Sequence, residues 1–395
     1  MLSVEEAQAL VMSEVTLLGE ESVAFDEAFG RVLREDAIAD IDMPPADNSA
    51  MDGYAVRAAD LPGTLNVIGD IPAGHVATQR VEAGTAMRIM TGAFVPEGAD
   101  TVVQVELTDG GLEVVTIDTT LAKGTNVRRR GEDVRAGDVV LAKGTRIGAA
   151  ELAMLAAVQK RAMRVGRRPT VAILSTGDEL IGIDEPRRPG TIVNSNAPLL
   201  DVLVRGCGAV PRPHGIVRDT REATIAALDA AAASDFVITS GGVSVGAWDF
   251  VKEALEALGA ETKFWRVAMK PGKPVVLSRL RESLVFGLPG NPASCFVSFH
   301  LFVAPALRKA AGESGELFPP MVRMRLAAPL RGVPDRRVYV RVRVDARDGE
   351  LVATPLTKQG SGALTSMLHA NGLAVVEAGA SADDAAPVVM IAMPR

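Results

Sequence analysis

Three glycine-rich loops each follow a short apolar run that is typical of a buried strand. They lie at 176–179 after VAILS, at 240–246 after DFVIT and at 289–292 after VFGL. Such loops, where they lead into helices, leave backbone N–H groups free beside the positive end of a helix dipole, so they can bind phosphate. One such loop is more often a structural turn, but three at one sheet edge favour an anion site. None matches the P-loop or the GxGxxG fingerprint.

Residues 270–274 read KPGKP, so two prolines hold two lysines within one rigid turn. A fixed pair of ammonium groups, Lys270 and Lys273, suits a pyrophosphate or another oxyanion. The alternative is a solvated charged turn, and for this motif alone the two interpretations are evenly balanced. The arginine run at 128–130 is mixed with acidic residues, and its default interpretation is a solvated loop.

Four carboxylates, those of Asp178, Glu179, Asp219 and Asp249, stand at predicted strand ends or helix starts. Beside phosphate-binding loops these oxygen ligands suit Mg²⁺, which keeps water and substrate phosphates in its coordination shell. Asp219 and Asp249 have a simpler alternative role as helix N-caps, and Asp219 with Glu222 has the spacing of a capping box. Two cysteines and four scattered histidines offer no Cys/His spacing for zinc.

The elements that position these groups begin with predicted helices and a β-rich segment. Residues 3–18 have apolar side chains at helical spacing behind a capping box, and a second helix is expected over residues 22–35. From residue 37 to 148, short β-type runs are separated by Gly, Pro and Asp. This texture is typical of a β-rich module.

The second half of the chain alternates strands and helices. Over residues 169–312, near-continuous apolar strands are followed by helices, which predicts a parallel sheet covered on both faces. Ligands bind beyond the carboxyl ends of such strands, where the three glycine-rich loops fall. Residues 313–395 carry short strands again and predict a small β domain. The fold class is therefore multidomain α/β, as the length of 395 residues also indicates.

The overall composition excludes several classes of protein. Forty-two Lys and Arg against 49 Asp and Glu give a net charge of −7, which argues against nucleic acid as the main partner. No apolar run is long enough to predict a membrane span, and the acidic start of the chain is unlike a signal peptide. Two cysteines are too few for a disulfide framework. We therefore expect a cytoplasmic protein.

Eight motifs follow one another along the chain in the same order as in one known protein family. They are SAMDGYAVR at 49–57, MTGAFVPEGADTVV at 90–103, RRRGEDVRAGD at 128–138, STGDEL at 175–180, TSGGVSVGAWDF at 239–250, MKPGKP at 269–274, LPGNPAS at 288–294 and QGSGALTSM at 359–367. Together they resemble the molybdopterin molybdenumtransferase (MoeA) family, to which the C-terminal domain of gephyrin also belongs. The resemblance covers essentially the whole chain.

The resemblance implies a homodimer of four-domain subunits, with the active site between the β module of one subunit and the α/β domain of the other. The implied domains are an N-terminal helical domain (1–36 with 146–168), an inserted β-rich module (37–145), a molybdopterin-binding-like α/β domain (169–314) and a small C-terminal β domain (315–395). The implied reaction inserts molybdate into adenylylated molybdopterin with Mg²⁺, releases AMP and leaves molybdenum cofactor.

Site residues follow motif by motif. The resemblance implies catalytic roles for Asp52, Thr91, Asp133, Glu179, Asp219 and Asp249, of which Glu179, Asp219 and Asp249 would be metal ligands. The glycine-rich loops and the resemblance together predict as substrate-binding residues Ser240, Gly241, Gly242, Ser244, Lys270, Lys273, Pro289, Gly290, Asn291, Pro292, Ser294, Arg341 and Ser361. Molybdate is a tetrahedral dianion, and two lysines, a serine hydroxyl and a helix N-terminus can hold it electrostatically.

Two other functions stay open at this point. A scaffold or binding protein on the same fold is one, since the gephyrin resemblance shows that the fold can serve receptor clustering, although no long Pro/Ser-rich linker is present. A phosphotransferase is the other, but it leaves the β module and its MDGY motif without a role. The expected partners are a molybdopterin adenylyltransferase and cofactor-receiving molybdoenzymes, with no nucleic acid and no membrane.

Overall fold

The structure, a computed structural model, describes residues 1–243 and 250–391. Its first helix is Val4–Glu14. The Ser3 hydroxyl accepts from the Glu6 N–H at 3.1 Å, and the Glu6 carboxylate accepts from the Ser3 N–H at 2.7 Å. This capping box confirms the predicted helix start. The buried face of the helix joins the hydrophobic core of the α/β sheet.

The second helix expected over residues 22–35 is wrong. Glu20–Ala24 is instead a strand that pairs antiparallel with Ala162–Gly166, and a single 3₁₀ turn follows at Phe25–Glu27. Gly30, at a φ of +74°, then takes the backbone out of helical conformation. The partner strand lies far along the chain, after the helix Ala149–Ala157, so local propensity could not reveal the pairing.

The segment between these two strands folds mainly as a five-stranded sheet. In sheet order its strands are Thr101–Gln104, Gly53–Val56, Thr85–Ile89, Gly63–Ile71 and Val114–Ile117. Two short pairs accompany it, Asn48–Ser49 with Val127–Arg128 and Ala37–Ile38 with Val139–Leu141. A Cβ on Gly53 would lie 1.9 Å from the Val103 carbonyl oxygen, so only glycine fits at this position of the MDGY motif.

The central sheet has six strands. In sheet order they are Val210–Val217, Thr170–Thr176, Phe236–Ser240, Ser283–Leu288, Val276–Leu280 and Glu261–Phe264. The first four run parallel, as predicted. Val276–Leu280 runs antiparallel to Ser283–Leu288, because only Arg281 and Glu282 separate them and a parallel crossover needs a much longer connection.

Helices cover both faces of the central sheet. Along one strand, Val171 and Ile173 face one hydrophobic core while Ala172 and Leu174 face another, as the two-residue period of a strand requires. The covering helices are Asn196–Gly206, Arg221–Ala231, Val251–Ala257 and Pro292–Ser298, the last of which continues through a π-helical turn, Phe299–Val303, into Ala304–Ala310. The core is therefore layered helix, sheet, helix.

The last sheet closes into a small barrel. Its strands, in sheet order, are Arg337–Arg347, Glu350–Pro355, Met321–Leu326, Ala385–Met390 and Gly372–Val376, and the last pairs back with the first. A short strand of the α/β region, Met269–Lys270, adds in parallel to Arg337–Arg347. The barrel is thereby joined directly to the lysine-bearing turn. The remaining short pairs are Leu180–Ile181 with Ile192–Val193 and Leu330–Arg331 with Ser381–Ala382.

The expected multidomain α/β class is confirmed by this arrangement of sheets. The four domain limits stay a prediction. Within residues 1–243 and 250–391, no helix has the length and apolar character needed to cross a membrane.

Candidate active site

The loops that follow the parallel strands meet at one sheet edge and enclose a cavity of about 420 Å³. Two carboxylates, Glu179 and Asp219, lie in its wall, whereas no lysine or arginine of the described residues does. We call it the acidic cavity. The predicted loop residues that line it are Ser240, Gly241, Gly242, Pro289, Gly290, Asn291 and Pro292.

The turn after the strand Phe236–Ser240 can be built only with glycine. Gly241 has a φ of +100°, and a Cβ there would lie 2.7 Å from the Thr176 carbonyl oxygen of the neighbouring strand. Gly242 has a φ of +66°, and its Cβ would lie 2.6 Å from Val251 Cγ2. The glycines thus let the backbone approach the cavity closely. Of the other predicted residues in this region, Ser244 and Asp249 lie outside the described residues.

Asn196 is a cavity residue that the motifs did not single out. It is buried at the start of the helix Asn196–Gly206, and its Nδ2 donates to Ser240 Oγ and to the Gly290 carbonyl oxygen, both at 2.7 Å. Because a carbonyl can only accept, this contact identifies the amide nitrogen, and Oδ1 must be the acceptor. Oδ1 has no hydrogen-bond partner among the described residues. The only local sign of this residue in the sequence is the polar run VNSN at 193–196, at the start of the helix.

Asp219 faces the acidic cavity rather than capping a helix. Thr220 caps Arg221–Ala231, since its hydroxyl accepts from the Ala223 N–H at 3.3 Å. The capping box expected for Asp219 is therefore wrong, because Asp219 lies one residue too early. Its carboxylate instead accepts from the Asp178 N–H at 3.1 Å, and the Asp178 carboxylate accepts from the Asp219 N–H at 3.3 Å. This exchange ties together the loops after two adjacent strands.

The donor set of the acidic cavity fits a hard cation that keeps external ligands. Glu179 and Asp219 supply carboxylate oxygens to one wall. Over the described part of the chain, no three or more His, Cys, Asp or Glu side chains gather closely enough to hold a metal ion. Two protein carboxylates completed by water or phosphate oxygens are the coordination that Mg²⁺ commonly takes.

A second cavity, of about 680 Å³, lies directly against the first. Pro274, Pro289 and Asn291 belong to both walls. No carboxylate of the described residues lines it, and we call it the basic cavity. The cationic side chains in its wall are Lys270, Lys273, Arg331 and Arg336. Arg331 and Arg336 are paired with Asp383 and Asp335, which do not line the cavity, so the two lysines are the side chains that favour an anionic ligand.

Two serines from different parts of the fold also line the basic cavity. Ser294, 4% exposed, lies in the first turn of Pro292–Ser298, and Ser361 lies in the loop between two barrel strands. The Ala293 N–H donates to the Ser361 carbonyl oxygen at 2.9 Å. This bond holds the barrel loop against the helix start, so both hydroxyl-bearing residues share a cavity with the lysines.

Arg341 lies behind the wall of the basic cavity. It is fully buried, and burial lowers its pKa. Its Nε donates to Ser366 Oγ at 2.7 Å, while Nη2 donates to the carbonyl oxygens of Lys358 and Gly360 at 3.2 and 3.0 Å. These contacts fix the loop that carries Ser361. Its Nη1 has no partner among the described residues.

The predicted residues of the β module line neither cavity of the same chain. Asp52 accepts from the Thr91 N–H at 2.6 Å and from the Thr91 hydroxyl at 2.8 Å, and these bonds hold its pKa below the usual range. The exposed Asp133 donates its N–H to the Met43 carbonyl oxygen at 3.1 Å. The structure therefore brings Asp52 and Thr91 together, but not with the α/β residues.

Three family models match the chain in succession. They are described as MoeA N-terminal region (domain I and II), over residues 2–158, probable molybdopterin binding domain, over 172–309, and MoeA C-terminal region (domain IV), over 323–385. The chain belongs to the MoeA family. The acidic cavity is lined by residues of the segment matched by the molybdopterin binding domain model. The basic cavity lies between that segment and the segment matched by the MoeA domain IV model.

Full-length relatives agree with the MoeA assignment. The molybdopterin molybdenumtransferase of Bacillus subtilis is 36% identical over 388 residues, covering 95% of this chain and 90% of the relative. That of Nostoc sp. is 40% identical over 367 residues, covering 89% and 84%. The solved MoeA protein of Pyrococcus horikoshii OT3 is 30% identical, covers 99% of this chain and 100% of its own, and superposes with a TM-score of 0.84.

Proposed function

We propose that this chain inserts molybdate into adenylylated molybdopterin, releasing AMP and leaving molybdenum cofactor. The observation that carries the proposal is the pair of abutting cavities with opposite charge and a shared wall. The basic cavity suits molybdate, and the acidic cavity suits a metal-bound phosphoanhydride. Their shared residues, Pro274, Pro289 and Asn291, set the distance at which the two substrates meet.

The wall of the basic cavity supports the proposal that molybdate binds there. Lys270 and Lys273 carry like charges in one short turn, and among the described residues no carboxylate lines the cavity with them. A dianion bound between the two lysines would relieve their repulsion. The hydroxyls of Ser294 and Ser361 can donate to two further oxygens of a tetrahedral ligand. Arg341 Nη1, behind the wall, is available as another donor.

We assign the nucleotide-bearing substrate to the acidic cavity as part of the same proposal. Backbone N–H groups of the glycine-rich turns lining this cavity, such as those of Gly242 and Gly290, can hold its phosphates, whereas Pro289 has no N–H and that of Gly241 already donates to the Leu288 carbonyl oxygen. Glu179 and Asp219 would by themselves repel phosphate, which favours a divalent cation between them. Mg²⁺, when bound there, would neutralise charge on the phosphoanhydride as AMP leaves. The proposal assigns no separate general base.

We also propose a homodimer, because the β-module residues do not reach the cavities of their own chain. Asp52, Thr91 and Asp133 would complete the site from the second copy. A reducing cytoplasm suits the two free thiols, Cys207 and Cys295. An adenylyltransferase would supply the substrate, and molybdoenzymes would accept the product. No similarity found for the chain supports the scaffold alternative.

The decisive experiment combines purified protein, adenylylated molybdopterin, Mg²⁺ and molybdate. The expected result is AMP release that requires molybdate, together with cofactor that activates an apo-molybdoenzyme. Replacing Mg²⁺ by a chelator should stop AMP release. AMP release that is independent of molybdate, or nucleotide hydrolysis without pterin, would instead favour the phosphotransferase alternative and contradict the proposal.

A further inference from the structure

The strand that leads into the lysine turn is held between two segments that are distant in sequence. On one side the Ala268 N–H donates to the Leu2 carbonyl oxygen at 2.8 Å. On the other side the Arg337 N–H donates to the Ala268 carbonyl oxygen at 3.0 Å, and Met269–Lys270 pairs with the start of a barrel strand. The Val267 N–H also donates to the Lys273 carbonyl oxygen at 3.1 Å. The backbone of the turn is therefore fixed at its base.

The side chain of Arg337 reinforces the same junction. Its guanidinium binds the Glu5 carboxylate of the first helix and donates from Nε to the Glu377 carboxylate of the barrel at 3.0 Å. The side chain of Arg337 is 22% exposed, whereas both carboxylates are 62% exposed. Burial raises the pKa of Tyr339, which lines the basic cavity, to about 12, and the adjacent Arg337 opposes that rise.

We propose that Arg337 is a positioning residue for the oxyanion site, an inference that rests on the proposed function. Arg337 does not line the basic cavity, whereas Lys270 and Tyr339 do. Arg337 therefore acts on the cavity through these two residues. Its backbone holds the strand that ends in Lys270, and its side chain holds the first helix and the barrel on either side of that strand.

Loosening this junction has a defined consequence. Lys270 and Lys273 repel one another, and the wall around them contains no carboxylate of the described residues that could offset this repulsion. With a mobile base the two ammonium groups would separate, and the cavity would hold an oxyanion less tightly. The steps after binding use the acidic cavity, which Arg337 does not contact, so turnover at saturating molybdate would be preserved.

The test measures binding of molybdate alone to the full-length protein by calorimetry, with steady-state kinetics alongside. Arg337→Met keeps most of the apolar stem and is expected to raise the molybdate Kd and KM about tenfold while kcat stays within about twofold. Arg337→Lys should restore part of the affinity, because an ammonium group can still reach one carboxylate. Glu5→Gln and Glu377→Gln should each weaken binding about threefold.

The matched control is Arg325→Met, which removes another barrel arginine whose partner, Glu350, is exposed. Its molybdate Kd should equal that of the wild type. The inference is overturned if Arg337→Met and both glutamine variants bind molybdate like the wild type, even with a lower Tm, because the contacts would then only stabilise the fold. If Arg337→Met does not fold, the glutamine variants decide. If the wild type itself fails to bind molybdate, the proposed function falls together with this inference.

Discussion

Single polar atoms decide how the acidic cavity is built. One amide, that of Asn196, ties the strand end at Ser240 to the loop at Gly290, and so connects two of the three glycine-rich segments. The carboxylates of Asp178 and Asp219 connect two loops in the same way. These bonds cross between loops far apart in sequence, so each makes the position of one loop depend on another.

Replacing Asn196 by alanine should disturb the glycine-rich loops that line the acidic cavity. Two buried hydrogen bonds of 2.7 Å are lost, which costs about 2 kcal/mol of stability. We expect kcat/KM for adenylylated molybdopterin to fall about tenfold or more as the loops lose their mutual position. Kinetics and urea unfolding check both effects. The exposed Asn66→Ala is the control, and a wild-type kcat/KM for Asn196→Ala would contradict this role.

Replacing Lys273 by methionine should weaken the binding of molybdate rather than that of adenylylated molybdopterin. The variant keeps the length of the side chain but removes one charge from the basic cavity. Since a charge-assisted hydrogen bond contributes about 1.5–3 kcal/mol, the molybdate KM should rise roughly tenfold or more. The KM for adenylylated molybdopterin should change little. Lys252→Met, at an exposed lysine beside Trp265, is the control. Equal changes in both KM values would argue against a separate oxyanion site.

At this scale the sequence identified residues that line a common site better than it identified their contacts, and anion binding there stays a prediction. KPGKP and the glycine-rich loops indicated anion binding from residue types alone. An aspartate before a helix is compatible both with capping and with bonds inside the preceding loop, and for Asp219 only the position of Thr220 decides between the two roles. Asn196 was missed because a single asparagine in a turn carries no sign of which distant carbonyl it will meet.

The helix Pro292–Ser298 begins between the two cavities and then passes through the π-helical turn Phe299–Val303. His300, 6% exposed, lies in that turn against Phe296, with ring centroids 4.6 Å apart. Its Nε2 has no hydrogen-bond partner among the described residues, and burial lowers the pKa of the imidazole to about 4. The turn therefore tolerates a neutral imidazole and disfavours a charged one.

This histidine should make stability depend on pH. As the pH falls below about 6.5, the unfolded chain takes up a proton that the folded chain takes up only near 4, so stability is lost across that interval. The loss amounts to about 3 kcal/mol. The His300→Phe variant should not show this loss of stability at low pH. Urea unfolding of both proteins at pH 7 and near pH 4 measures the difference, and the exposed His214→Phe should behave as the wild type. Parallel pH profiles for wild type and His300→Phe would refute the assignment.

Helices and strands could be predicted from the sequence where their conformation depends on neighbouring residues rather than on distant strands. The first helix and the parallel strands were read correctly, because capping, periodicity and apolar runs are local properties. Glu20–Ala24 was misread because its strand conformation comes from pairing with Ala162–Gly166. Closure of the barrel between Arg337–Arg347 and Gly372–Val376 also depends on strands that are not consecutive, and no local signal reports it.

On the scale of the whole molecule, the site is incomplete within one chain if the β-module residues take part in the reaction. Asp52 and Thr91 are bonded to one another on the exposed side of the β module and line neither cavity. A two-fold dimer could place them against the cavities of the partner. This arrangement stays a prediction, since sequence patterns within one chain do not specify contacts between copies.

Mixing two variants that are impaired at low molybdate tests the shared site. Asp52→Ala affects the β module, and Lys273→Met affects the α/β region, so a mixed dimer has one site with both changes and one with neither. Co-refolded in equal amounts, the two variants should recover about a quarter of wild-type AMP release, because half the dimers are mixed and each has one intact site. Each variant alone should remain nearly inactive at low molybdate. No recovery in verified mixed dimers would place both residues in the same subunit's site.

The segment 267–270, which includes the strand Met269–Lys270, lies between Leu2 and the barrel strand that starts at Arg337, so its two neighbours are far apart in the order of synthesis. A chain leaves the ribosome from its N-terminus, so Leu2 appears first and Arg337 appears only after all the glycine-rich loops have been made. A chain that ends before the barrel would therefore contain every glycine-rich loop but not the strand that pairs with Met269–Lys270. If the lysine turn binds molybdate as proposed, full affinity for the oxyanion is expected only of copies whose synthesis has reached the barrel.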